Sequence, residues 1–122
     1  MDRIEEFTRG GKSFVYIDFS NLKTNEEISQ VIERAKPVIR SYPQNSVFTI
    51  TNFDGLRYDR DSKTLIIPYT EENKPYVKAG AIVGLDNFKR IMANTIFAVS
   101  GRKNLIIMNT KEEAIQYFIA KF

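Results

Sequence analysis

Segments of two kinds alternate four times along this chain: short runs of β-branched, aromatic or otherwise apolar residues, and longer stretches whose apolar side chains recur at helical spacing. That alternation leaves few architectures open. Strands that each lead into a helix return in parallel through right-handed crossovers, and the helices pack on the sheet faces. The first run is Ser13 to Phe19, Ser-Phe-Val-Tyr-Ile-Asp-Phe, bounded by Gly10-Gly11 and Ser20-Asn21, and it reads as a strand. A shorter run, Arg3 to Thr8, precedes the glycine pair and can add an antiparallel edge strand. Thr24-Asn-Glu-Glu27 has the spacing of a capping box, in which the threonine hydroxyl accepts from a free helix amide and the glutamate reaches back. Ile28, Val31, Ile32, Ala35 and Ile39 follow on one helix face. Pro37, which lacks an amide proton, is expected to kink this helix or end its regular part.

Ser46 to Thr51 is a second strand and Asn52-Phe53-Asp54-Gly55 a turn. Lys78 to Gly84 is almost wholly apolar, as expected of a strand buried on both faces, with Gly80 allowing close packing against a helix. Asp86 is placed to cap a helix carrying Leu85, Phe88, Ile91, Met92, Ile96 and Val99 inward, with Gly101 as its stop. Asn104 to Met108 is a fourth core strand. Thr110-Lys-Glu-Glu113 repeats the capping box and opens a terminal helix with Ala114, Ile115, Phe118 and Ile119 on one face. Arg60 to Asn73 is ambiguous: Thr64 to Tyr69 looks like a strand and Pro68 argues against a regular helix, yet Leu65, Ile66 and Tyr69 would share a helix face.

Two missing residue types exclude much chemistry. Without cysteine there are no disulfides, thiol nucleophiles or thiolate metal sites. Without histidine, a general base must be a carboxylate or a lysine with a strongly shifted pKa. The 18 basic and 15 acidic residues leave a net charge of +3, but they are interspersed, so a nucleic-acid partner is not expected. No apolar run approaches the roughly 20 residues that cross a bilayer. The first residues lack the basic-then-apolar order of a signal peptide, so the cytoplasm is the expected compartment.

The run Asn73-Lys-Pro-Tyr-Val-Lys-Ala-Gly-Ala-Ile-Val-Gly84, with Phe97-Ala-Val-Ser-Gly-Arg102 and Thr110-Lys-Glu-Glu-Ala114, resembles a bacterial family of small uncharacterised proteins with a STAS-like fold, related to the sporulation anti-anti-sigma factor. The resemblance covers about the last two thirds of the chain. It implies a helix from Asp61 to Asn73, distorted at Pro68. The expected architecture is thus a single α/β domain. Its sheet is mainly parallel and four-stranded, with the N-terminal edge strand as an addition, and four helices flank it. STAS domains usually act as switches that bind a protein partner, and many carry a phosphorylatable Ser or Thr in an Asp-Ser-Ser-Gly-like turn at the start of the second helix. The corresponding stretch here reads Tyr58-Asp59-Arg60-Asp61-Ser62-Lys63, with Ser62 near that place and no glycine after it. A phosphate there would add about two negative charges at a helix N-terminus, where the dipole favours them. The plainer role of Asp61 or Ser62 is to cap the helix.

These readings make the chain a non-enzymatic regulatory or protein-interaction module without cofactor or metal. Its working surface is the loop from Asn52 to Ser62 and the following helix, with Asp54, Asp61, Ser62 and Tyr76 as candidate switch or contact residues. A small apolar-ligand or lipid carrier with a pocket beneath that helix is the first alternative, because related folds include lipid-binding members. A carboxylate-dependent enzyme is the second: Asp18, Asp54 and Asp86 fall at strand carboxyl ends, where oxygen ligands could gather around Mg²⁺. The apolar C-terminal residues Phe118, Ile119 and Phe122 suggest a face through which two copies could pair.

Overall fold

The structure is a computed structural model, and it describes residues 2–86 and 104–122. Strands β1 (Ile4–Arg9), β2 (Lys12–Asp18), β3 (Val47–Asn52), β4 (Val77–Val83) and β5 (Leu105–Ile107) form one sheet in the order β1-β2-β3-β4-β5. β1 runs antiparallel to β2, and every other pairing is parallel. Gly10 and Gly11 join the hairpin with φ of +59° and +76°, the left-handed pair that a two-residue type I′ turn requires. The expected edge strand is therefore present, and among the described residues the sheet is mixed and five-stranded.

Among the described residues three helices accompany it: α1 (Asn25–Arg40), α2 (Arg60–Asn73) and α3 (Lys111–Lys121). The helix expected after Asp86, with its stop at Gly101, lies outside the described residues. At α1 the capping box forms as expected: Thr24 Oγ1 accepts from the Glu27 amide at 3.1 Å, and Glu27 Oε1 accepts from the Thr24 amide at 3.0 Å. Thr24→Ala should lower stability by about 1 kcal/mol in urea denaturation. Pro37 does not end the helix, which continues to Arg40. Pro37 and Glu33, four residues earlier, both lie on the exposed face, where water can replace the missing bond. At α3, Thr110 Oγ1 accepts from the Glu113 amide at 3.1 Å.

The ambiguous segment is helical throughout, Pro68 included, because it buries Ile66, Tyr69 and Asn73 along one side. Burial of that stripe outweighs a local strand propensity worth at most about 1 kcal/mol per residue. The helix starts at Arg60, and its cap is Asp59, not Asp61 or Ser62.

The sheet separates two apolar layers. On one side α1 and α2 pack Ile28, Ile32, Ile39, Ile66 and Tyr69 against Val15, Ile17 and Ile82. On the other, α3 packs Ala114, Ile115 and Phe118 against Phe14, Phe48 and Ile50. Val47 to Thr51 are all buried, as befits a central strand covered on both faces. β5 is only half-buried, where its composition suggested a core strand, and among the described residues it ends the sheet. Gly80 serves strand packing: a Cβ there would come 2.6 Å from Thr49 Oγ1 and 2.7 Å from a Leu105 methyl, side chains of the two flanking strands. Phe118 is buried, 6.5 Å from Phe14 and 5.2 Å from Phe48 between ring centroids. Phe122 is exposed but rests on Phe48 at 5.3 Å, so the aromatic C-terminus is largely spent on the core.

Candidate functional site

The carboxyl ends of β2 and β3 carry two loops that the backbone itself locks together. Beyond the last ladder residues, the Phe19 amide donates to Asn52 O at 2.9 Å, and the Asn21 amide donates to Asp54 O at 2.8 Å. The Phe53 amide donates to Val83 O at 3.0 Å, which fixes the second loop to β4 as well. Leu22, Phe53 and Leu56 are buried beneath, with the Phe19 and Phe53 rings edge to face at 5.6 Å. The loops are thus the polar surface of a packed apolar base.

Arg57 is the hub of this surface. Its guanidinium donates to Lys23 O at 2.6 Å and to Asn25 Oδ1, and its Nε lies 2.9 Å from Asp59 Oδ2. Lys23 Nζ donates back to Gly55 O, and the Arg57 amide donates to Leu22 O at 3.0 Å. Arg3 closes the far side, donating to Asp18 O at 3.1 Å and Ser20 O at 2.9 Å. Gly84 makes the close approach possible: its φ is +81°, and a Cβ would meet Asn52 Oδ1 at 2.5 Å and the Asp54 amide at 2.8 Å.

Asp54 and Asp61 are exposed at this end, on the loop and in the first turn of α2. Ser62 is also here but has no exposed surface. Its amide donates to Asp59 Oδ1 at 3.0 Å, and its hydroxyl donates to Asp59 O at 3.2 Å and accepts from the Asp59 amide at 2.9 Å. Serine here takes the part that glutamate takes at α1, so the hydroxyl is already committed. A kinase could reach it only after the first turn of α2 opened. Tyr76 is elsewhere. It precedes β4, its carbonyl accepts from the Ser46 and Val47 amides, and it sits at the amino ends of the parallel strands. The 14-residue α2 places it about 20 Å from Ser62 along the helix. Three of the four expected residues therefore gather, and Tyr76 does not join them. Arg57 and Asp59 were not singled out from sequence, although Asp59-x-x-Ser62 has the same spacing as Thr24-x-x-Glu27, which closes as a full capping box, and Thr110-x-x-Glu113, where the Thr110 half of the box is present.

The Asp59 carboxyl is held below the usual carboxylate range, first by the Ser62 amide and further by the Arg57 guanidinium. A carboxyl whose pKa falls on folding stabilises the fold above its unfolded pKa, and that contribution is lost as pH drops through the lowered value. Asp59→Ala should therefore have a lower urea midpoint than the parent at pH 7, with the gap narrowing on acidification below pH ~4.

Beneath α2 lies a cavity of about 30 Å³, bordered by Ile17, Thr49, Thr51, Tyr69 and Asn73. That is the liquid volume of about one water molecule, against several hundred Å³ for a pocket enclosing a small organic ligand. Among the described residues, no three His, Cys, Asp or Glu side chains are grouped to hold a metal ion. Asp18 instead accepts from the Ser20 amide at 2.8 Å. No described helix is long and apolar enough to cross a membrane. Comparison of the chain with known protein families and with curated protein sequences finds no match.

Proposed function

We propose that the chain is a STAS-like regulatory module that binds a protein partner through the Phe53–Asp59 loop and the first turn of α2. The observation that carries this reading is the cross-linking of the two loops, by Arg57 to Lys23, Asn25 and Asp59 and by the Asn21 amide to Asp54 O, at an end of the sheet where Asp54, Asp59 and Asp61 are exposed. A surface ordered before binding avoids the entropic cost of ordering loops at the interface. The β–α alternation and the place of α2's N-terminus after the β3 loop support the STAS-like reading. The small cavity under α2 gives no support to carriage of an apolar ligand.

The test compares affinity capture by the tagged parent, by Asp54→Arg/Asp61→Arg, and by Lys78→Glu at the opposite end of the sheet. A specific partner should fall at least tenfold with the first variant and persist with the second. Equal retention by all three would place binding elsewhere, and capture of nothing specific by the parent would remove the proposal. Native mass spectrometry of the purified protein separates the carrier reading, which requires a bound small molecule.

A further inference from the structure

β1 is the end strand of the sheet, and its hydrogen-bonding phase can be read from the hairpin. The Asp18 amide donates to Arg3 O at 2.8 Å, and the register pairs Glu5 with Tyr16, Phe7 with Phe14 and Arg9 with Lys12. Backbone groups alternate along a strand, so those residues bond inward to β2. Ile4, Glu6 and Thr8 then turn their amides and carbonyls outward, along the open edge. The Ile4 amide is taken by Asp2 Oδ1 at 3.1 Å. Glu6 and Thr8 are exposed, and their outward backbone groups have no partner among the described residues.

We propose that this edge pairs with β1 of a second copy, antiparallel, about a two-fold axis through Phe7. An isologous pairing must match outward residues with outward residues, which leaves only a few registers. One register sets Glu5 against Glu5 of the second copy and another sets Glu6 against Glu6, and like charges directly opposed are destabilising. The register centred on Phe7 pairs Glu6 with Thr8 through backbone hydrogen bonds in both directions. It also sets Glu5 opposite Arg9, an acid opposite a base on each side of the axis. Phe7 then meets Phe7 in the close, non-hydrogen-bonded position, on the face where its ring already stacks on Phe14 at 5.1 Å. The charged side chains leave the edge itself open. Glu5 leans towards Lys111 at 3.4 Å and Arg9 towards Glu112 at 2.8 Å on one face, while Glu6 accepts from the Tyr42 hydroxyl at 2.8 Å on the other. The surface involved is separate from the loop site at the strand carboxyl ends.

The chain has no cysteine, so single thiols can report the register. Cα atoms in a non-hydrogen-bonded antiparallel pair are about 4.5 Å apart, within disulfide range. Phe7→Cys should cross-link to itself under mild oxidation at least tenfold faster than Glu6→Cys or Thr8→Cys, which in this register do not face their own copies. Equal rates, or faster cross-linking at position 6 or 8, would overturn the register. Because Phe7→Cys also removes a stacked ring, sedimentation of the unmodified chain gives an independent reading. The parent should show a concentration-dependent dimer. Thr8→Pro, which removes only an outward amide at a position where an edge strand tolerates proline, should be monomeric with an unchanged circular dichroism spectrum. A parent that stays monomeric at millimolar concentration, or a Thr8→Pro variant that dimerises as well as the parent, would refute the pairing.

Discussion

Ser62→Asp is expected to destabilise the protein by about 3–5 kcal/mol, the cost of a buried charge without a partner. Ser62 is fully buried at the first turn of α2, and its hydroxyl is engaged in both directions with the Asp59 backbone. An aspartate there would place a second carboxylate beside that of Asp59, whose nearby guanidinium, Arg57, is already shared with Lys23 and Asn25. Ser62→Ala removes the same hydrogen bonds without adding charge, and should cost only about 1 kcal/mol. Urea denaturation of the two variants at pH 7 separates the effects. If the aspartate variant is as stable as the alanine variant, the first turn of α2 is open enough to accept a charge, and modification of Ser62 needs no local unfolding. If the gap is as expected, Ser62→Asp cannot serve as a mimic of phosphoserine, and a phosphorylation switch has to be tested on the phosphorylated chain itself.

Gly84→Ala is expected to cost about 2–4 kcal/mol, from left-handed backbone strain together with overpacking. The new Cβ would lie 2.8 Å from the Asp54 amide, which cannot yield freely because it is bonded to Asn52 Oδ1 at 2.9 Å. Gly11 provides the control. Its φ is +76°, but a Cβ there meets nothing within 4 Å, so Gly11→Ala carries the conformational cost alone. Thermal melts should therefore rank Gly84→Ala well below Gly11→Ala. Amide shifts of Asn52 and Asp54 should move only in the former, and equal melting losses would mean that the β4 end does not constrain the loop.

How much of this could be read in the residues follows from the range of each signal. Thr24 and Glu27 are three apart, and their capping box was legible because both halves of the interaction are local. The strands at Ser13, Ser46 and Lys78 were placed within a residue or so of their observed bounds for the same reason. Arg57 was not legible, since its bonds to Lys23 and Asn25 span more than thirty positions and leave no periodic trace. The Asp59 cap was missed because serine stands where the usual box has glutamate. Tyr76 follows the end of α2 by only three residues, but that fourteen-residue helix carries the chain from one end of the sheet, where Ser62 lies, to the other. The helicity of Thr64 to Tyr69 came from resemblance and from burial rather than propensity. The burial of Ser62 is a tertiary fact that its neighbours in sequence do not announce.

The most direct measurement is a hydrogen-exchange footprint of the chain with a captured partner against the chain alone. Protection is expected to concentrate on residues 52 to 66, with β1 and α3 unchanged between the two states. Protection confined to β1, or spread evenly over the sheet, would contradict the loop at the carboxyl ends of β2 and β3 as the partner-binding surface.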